Sequence, residues 1–230
     1  MKFWTWTEIK ARLDKELDLD DYDGLVDETE LLSYTNDAID DAEGHILTLH
    51  EDYFLTPADL TLVDTESEIA FPSDIYAGKI RAIIYKNGTD VYEVKRVKSW
   101  KRFLEYRLAR TTTTNTEKYQ YFLVNATAGA PKIVLTPAAY ESGTLMEAWY
   151  IRNANRLTTG ADKCDIPEFI QFILWHVKAT VLGKDGHPMA ARAMEQAAYF
   201  REHMISTLTN MTLDNDNEIE ADLSHYSESV

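Results

Sequence analysis

The residues of this sequence best suited to chemistry are adjacent acids and a few histidines. The Asp40-Asp41 pair could in principle share a proton or hold a metal ion. It is expected at a solvated position, without the apolar pocket that shifts a pKa, so it does not indicate catalysis. His45 and His50 are five residues apart and lie on different sides of a helix, whereas two metal ligands on one face are four apart.

The sequence contains none of the common catalytic or metal-binding motifs. HExxH, CxxC, a Walker loop, GxGxxG and GxSxG do not occur. Cys164, beside Asp165, fits a loop or the start of a helix better than a nucleophile. We therefore predict a protein that is not an enzyme, with no catalytic residue, no metal site and no cofactor. A carboxylate-dependent hydrolase is the weakest alternative.

The charge balance limits the partners that the protein can have. Its 39 acidic residues against 23 basic ones give a formal net charge of -16, which repels nucleic acid phosphates and makes a conventional DNA-binding module an unlikely class. The negative charge remains compatible with a basic protein partner, or with a surface past which DNA moves without binding. The N-terminal residues lack the apolar region of a signal peptide, and no apolar run is long enough for a membrane span, so no membrane association is expected.

A long amphipathic helix is predicted over Asp27–His50. Asp27 is a suitable N-cap, with Glu30 three residues later as in a capping box. Apolar residues and small residues recur at helical spacing on one side. The opposite side is acidic, with Asp37, Asp40, Asp41 and Glu43.

A shorter helix is predicted before it, because Thr5 and Glu8 form a second capping box ahead of an apolar stripe. The acidic residues 18–24 then connect the two helices, so residues 1–52 are predicted to form a helix hairpin.

Short β-rich runs replace the helical pattern after His50. About seven strands are predicted, with Asp90–Val97 as one strand and Asn87-Gly88 as a hairpin turn. A short helix covers Ser99–Ala109, and a polar loop containing Thr113 and Asn115 follows. Residues 53–160 are thus predicted to be an inserted small antiparallel β domain, in which seven basic residues between 95 and 110 form a solvated face or meet an acidic neighbour.

Two helices complete the predicted fold over residues 161–212. The first is expected to start with a capping box of Asp165 and Glu168, and the second to run from about Pro188 to about Met211. The candidate packing face of the last helix is Ala190, Met194, Ala197 and Met204. The acidic tail, residues 213–230, is expected to be disordered alone. The fold class is α+β, a helical body with an inserted β domain.

The order of these elements joins phrases that resemble tailed-bacteriophage head-to-tail adaptor proteins. ETELLSYTNDAIDDAE resembles their second-helix signature, and Phe71–Ile75 their LPxDF step between strands. PKIVLTP followed by LMEAWYIRNANRLT resembles their paired strands and linker, and DIPEFIQFILWHVKATVLGKDG the first closing helix. Two features depart from the family: Val26 stands near where a Trp is common, and the tail beyond Leu213 has no fixed counterpart.

The resemblance implies a virion structural protein at the head–tail interface, assembled in the host cytoplasm. Copies would form a ring, commonly of twelve, below the portal protein, with tail or nozzle proteins beyond and genomic DNA passing through without specific binding. The acidic side formed by Asp37, Asp40, Asp41 and Glu43 would be a channel or subunit surface. The tail-facing loop would be the hairpin of Asn87 and Gly88 or the loop that contains Thr113 and Asn115. The portal-binding tail would include Leu213, Asp214, Asp216, Glu218, Ile219 and Glu220. The alternative, supported by charge alone, is an acidic DNA-mimicking inhibitor of a nucleic-acid enzyme.

Overall fold

The computed structural model describes residues 2–17, 26–88, 90–109, 118–124, 131–139 and 141–215. In this part of the chain the helices are α1 (Trp6–Leu17), α2 (Glu28–Leu49), α3 (Trp100–Ala109), α4 (Ile170–Lys184) and α5 (Ala190–Asn215). The strands are β1 (Leu55–Leu62), β2 (Glu68–Ala70), β3 (Ile75–Asn87), β4 (Asp90–Glu93), β5 (Lys95–Arg96), β6 (Gln120–Val124), β7 (Lys132–Thr136) and β8 (Gly143–Arg152). The predicted α+β class is confirmed.

The chain divides into two compact units. The helical unit comprises Met1–Tyr53 and Ala154–Val230, and the β unit comprises Phe54–Asn153. The β unit is therefore inserted between the second and third helices of the helical unit. In the described part of the chain, no helix combines the length and the apolar character that crossing a membrane requires.

The helix starts show which local signals determine structure. Thr5 and Glu8 form the predicted capping box: Thr5 N donates to Glu8 Oε2 at 3.0 Å, and Glu8 N donates to Thr5 Oγ1 at 3.3 Å. Asp27 is the predicted N-cap of α2 and accepts from Glu30 N at 2.7 Å. The Glu30 carboxylate, however, binds Lys184 Nζ at 2.6 Å, an ion pair between α2 and α4.

The capping box predicted at Asp165 and Glu168 is wrong. A 3-10 turn, Pro167–Phe169, precedes α4 and has no side-chain cap. The Asp165 carboxylate instead accepts from the backbone N–H of Asn155 at 3.1 Å, because the chain returning from the β unit passes beside it.

In the helical unit, α2 packs against α4 and α5, and α1 packs against α4. The apolar side of α2 is fully enclosed, with Ala38, Ile39, Ala42 and Ile46 at 0% exposure. Its contacts with the two returning helices, α4 and α5, enclose this side.

Cys164 lies in this unit where the chain pairs with the N-terminal segment. Its backbone N–H donates to Trp4 O at 2.9 Å, and its side chain has 0% exposure. Burial raises the pKa of the Cys164 thiol to about 12. A buried thiol that stays protonated at neutral pH is a poor nucleophile.

The β unit contains two four-stranded sheets, ordered β1-β8-β3-β4 and β2-β7-β6-β5. All pairs are antiparallel except β5 with β6. Both sheets contribute to one hydrophobic core: Leu62, Ile83, Met146 and Ala148 from the first, and Ile69, Tyr121, Ile133 and Leu135 from the second. The predicted small β domain is thus a two-sheet sandwich.

The prediction of one strand over Asp90–Val97 is wrong. Strands β4 and β5 belong to different sheets, because Val94 N donates to Ile83 O at 2.7 Å whereas Val97 N donates to Tyr121 O at 2.8 Å. The predicted hairpin is confirmed: Asn87 pairs with Asp90, and Gly88 has a φ of +57°.

Helix α5 extends to Asn215, beyond the predicted end near Met211. Leu213 and Asp214 of the predicted tail are therefore helical. Asp216, Glu218, Ile219 and Glu220 lie outside the described residues, as do Thr113 and Asn115 of the predicted loop.

Candidate functional site

The polar side of α2 holds the segment that returns from the β unit. Asn36 Nδ2 donates to Leu157 O at 2.9 Å, and Leu157 N donates to Asn36 Oδ1 at 2.9 Å. One turn on, Asp40 pairs with Arg156. Glu43 Oε1, a further turn on, accepts from Ala154 N at 2.8 Å. We call Asn36, Asp40 and Glu43 the α2 ladder, since they hold the segment at three successive turns.

Glu43 is therefore not on the exposed acidic face where the sequence places it. The residue is only 9% exposed, and burial raises the pKa of its carboxyl above the ordinary value, although the bond from Ala154 N opposes this. Asp37 and Asp41 remain exposed, and Asp40 is half-buried beside Arg156. The acidic surface is thus smaller than predicted, because part of it binds the protein's own backbone.

Two substitutions of Glu43 distinguish the contribution of its hydrogen bond to stability from the contribution of its charge. Glu43→Gln keeps an acceptor for Ala154 N and is expected to be at least as stable as the parent. Glu43→Ala leaves that donor unsatisfied and is expected to lose about 1–3 kcal/mol. Because the pKa of Glu43 is raised in the fold, the parent is most stable below the unfolded-state pKa and loses stability as pH rises through the folded-state pKa.

Urea unfolding of the three proteins across this pH range measures the effect. The advantage of Glu43→Gln over the parent should grow as pH rises. Equal loss in both variants at every pH would contradict the assignment.

Asp41 lies at a groove of about 360 Å³ between α2, α4 and α5. Its Oδ2 lies 3.7 Å from His176 Nδ1, and its Oδ1 lies 3.8 Å from His45 Nε2. Met194, Ala197 and Arg201 of α5 line the same groove. The groove thus brings together the predicted acidic surface and the predicted packing face, which the sequence assigns to separate elements.

The packing face itself is not one surface. Met204 has 0% exposure and belongs to the interior of the helical unit, whereas Met194 is 56% exposed. Ala190 and Ala197 are half-buried. The exposed side of α5 also carries Tyr199 at 59% exposure. Apolar side chains of this helix therefore lie both in the interior of the helical unit and on its surface.

A larger cavity of about 870 Å³ lies between α1, α4 and α5 and was not anticipated from the sequence. Lys178 projects into it, pairs with Glu16, and lies 4.1 Å from the centroid of the Trp175 ring. Burial lowers the pKa of Lys178, and the nearby Arg12 adds to this effect. The sequence does contain one indication of the contact between Trp175 and Lys178: their three-residue spacing places both side chains on one face of a helix.

In the β unit, the β3–β4 turn is held from the side. Asn87 Nδ2 donates to Glu141 Oε2 at 2.6 Å. Asn87 therefore anchors the turn, and Gly88 forms its tip. Of the candidate tail-facing loops, this is the one that the structure describes.

The ionisable groups described above pair with one another or hold chain segments in place. Within the described ranges, His, Cys, Asp and Glu side chains form no group of three suited to a metal ion. The described part of the chain is thus a helical unit with an inserted β sandwich, and a groove and a cavity lie between the helices.

Comparison with known proteins gives the family. The family model described as SU10 adaptor protein matches residues 4–220. The chain belongs to this family of phage head-to-tail adaptors, as its sequence resemblance indicates. No curated protein matches the chain. Membership implies a structural component of the virion that associates with portal and tail proteins, and not an enzyme.

Proposed function

We propose that copies of this protein form a ring of twelve below the portal, connect it to the tail, and line the DNA exit channel. The family match supports the adaptor role. The observation that carries the channel role is the distribution of charge between the two units. The helical unit has 28 acidic and 10 basic residues, a net charge of -18, whereas the β unit has 11 acidic and 13 basic residues, a net charge of +2.

This distribution suits a wall past which DNA must move. Phosphate contacts with Lys and Arg produce strong, sequence-independent binding, and an acidic wall lacks such contacts. Of the four acids predicted to form this surface, Asp37 and Asp41 are exposed and would face DNA or a neighbouring copy, with Asp40 contributing in part. Glu43 is excluded from this role because it is buried.

We place the portal contact on the C-terminal part of the chain. Helix α5 carries the exposed Met194 and Tyr199, and Met211 is 41% exposed. The acidic residues from Asp214 onward would continue from this helix and order against the portal as they bind. The β unit would then meet the tail or nozzle.

Cryo-electron microscopy of the virion tests the proposal directly. Density for the protein is expected as a closed ring between portal and tail, with α2 or its acidic residues facing the channel or the subunit boundary. Density in the capsid shell or in a tail fibre would contradict it.

Truncation after Asn215 is expected to weaken binding to the purified portal by about tenfold or more, equivalent to about 1.4 kcal/mol, since the ordering segment contributes binding energy. Surface-immobilised portal and full-length adaptor provide the reference affinity. The matched control keeps the length of the chain and replaces residues 216–230 with Gly and Ser. Portal affinity equal to that of the full chain in both variants would show that the helices alone make the contact.

The same charge distribution supports one other class, an acidic inhibitor that imitates DNA and binds a nucleic-acid enzyme. Affinity purification from infected cells distinguishes the two. Recovery of a nuclease or polymerase without portal protein would favour the inhibitor.

A further inference from the structure

The β unit contains a basic cavity for which the adaptor role gives no explanation. The cavity has a volume of about 360 Å³ and is bordered by Lys95, Arg96, Lys98 and Arg102. Val97, which is buried, forms part of its lining. Four cations around one cavity contrast with a chain whose net charge is -16.

These cations are not neutralised within the described residues. Lys95, Arg96, Lys98 and Arg102 are all exposed, and none of them forms an ion pair with another side chain in that part of the protein. Other basic groups of the β unit are paired, as Lys86 is with Glu147 and Lys132 with Glu68. The cavity therefore has positive charge available for an external anionic group.

Gln120, at the start of β6, also lines the cavity. Its Oε1 is buried and has no hydrogen-bond partner among the described residues, so this atom is out of reach of an occupant in this structure. The exposed cations therefore determine the recognition, and they select an anionic occupant.

We propose that the basic cavity binds an extended acidic segment of a partner protein. Glu or Asp carboxylates of the segment pair with Lys98, Arg102 and the two cations of β5. Charge-assisted bonds to Arg and Lys give such a contact its strength and select carboxylates.

A polypeptide fits better than a nucleic acid. A long polyanion is repelled by a protein with a net charge of -16, whereas a short acidic segment brings only a few charges to the cavity. A cavity of about 360 Å³ is at the lower end of the volumes of ligand pockets and suits a few side chains of an extended segment.

This inference rests on the proposed function only in its choice of partner, the tail component that the β unit meets. The binding chemistry itself can be tested with the isolated full-length protein. The probes are a labelled peptide of alternating Glu and Ser, the same peptide with Gln in place of Glu, and a short oligothymidine of similar length.

Fluorescence anisotropy compares the parent with Lys98→Gln/Arg102→Gln. The double variant should bind the Glu peptide about tenfold more weakly, because two of the four cations are lost. The control is Lys86→Gln/Lys132→Gln, which removes the same charge from the same unit outside the cavity. Its affinity should stay within about twofold of the parent, since only long-range attraction changes.

Each outcome is decisive. Binding of the Glu peptide alone, lost only in the cavity variant, supports the proposal. Equal weakening in both variants, equal affinity for the Gln peptide, no binding of the Glu peptide, or tighter binding of oligothymidine would overturn it.

Phage complementation separates this inference from the proposed function. The cavity variant should occupy the portal normally but produce particles with fewer attached tails. Absence of the parent protein from the head–tail junction would contradict the proposed function and leave the peptide result standing. Normal tails together with unchanged peptide affinity would overturn the inference alone.

Discussion

Met204→Ala is expected to lower the free energy of unfolding of the helical unit by about 2–5 kcal/mol, the usual cost of truncating a buried Met or Leu to Ala. Met204 has 0% exposure and lies one turn before Leu208, which is equally buried. Truncation leaves a cavity in the contact of α5 with α4 and α2. Urea unfolding followed by circular dichroism measures the loss.

Met194→Ala is the matched control on the same helix. Met194 is 56% exposed, so its truncation should change stability by no more than about 0.5 kcal/mol. If the outward side of α5 packs against the portal or a neighbouring copy, this variant should fold normally and assemble poorly. Similar losses of stability in both variants would contradict the division of α5 into an inward and an outward side.

Asn36→Ala is expected to have the second large effect. Its amide satisfies both the C=O and the N–H of Leu157, a residue with 0% exposure. Removing the amide leaves two buried backbone groups without partners, at about 1–3 kcal/mol each. The loss should loosen the segment that connects the β unit to α4, and hydrogen exchange at Leu157 N–H should become faster.

Asn36→Asp gives a pH-dependent comparison. A carboxylate accepts from Leu157 N but cannot donate to Leu157 O, so this variant should be destabilised at neutral pH. Protonation restores a donor, so its stability should recover as pH falls through the carboxyl pKa, which the fold raises. Asp37→Ala, at the exposed neighbouring position, should change stability by no more than about 0.5 kcal/mol. An Asn36→Ala variant as stable as Asp37→Ala would contradict the role of the amide.

The sequence predicted those features that are determined by residues close together in the chain. The Thr5–Glu8 capping box, the Asp27 N-cap and the Asn87-Gly88 hairpin all depend on partners within a few residues. The apolar side of α2 was likewise visible from its helical spacing alone.

The features that were predicted wrongly depend on distant partners. Glu43 bonds to Ala154, 111 positions away, so its neighbours in α2 could not indicate its burial. The spacing of Asp165 and Glu168 matches a capping box, but Asp165 binds the Asn155 backbone instead. That partner comes close to Asp165 only because the chain returns there from the β unit. Strands β4 and β5 lie in one run that contains β-branched and aromatic residues, and only their different partner strands reveal that they are separate.

The buried state of Cys164 has a practical consequence for studying the assembly. It is the only cysteine of the chain, and its thiol is enclosed and protonated at neutral pH. Thiol-reactive probes should therefore not label Cys164 while the protein is folded. A cysteine introduced at one exposed position away from the proposed contacts, such as Asp64, becomes the single point of labelling. Distances between identical labels would then report the number and spacing of copies in the assembled particle.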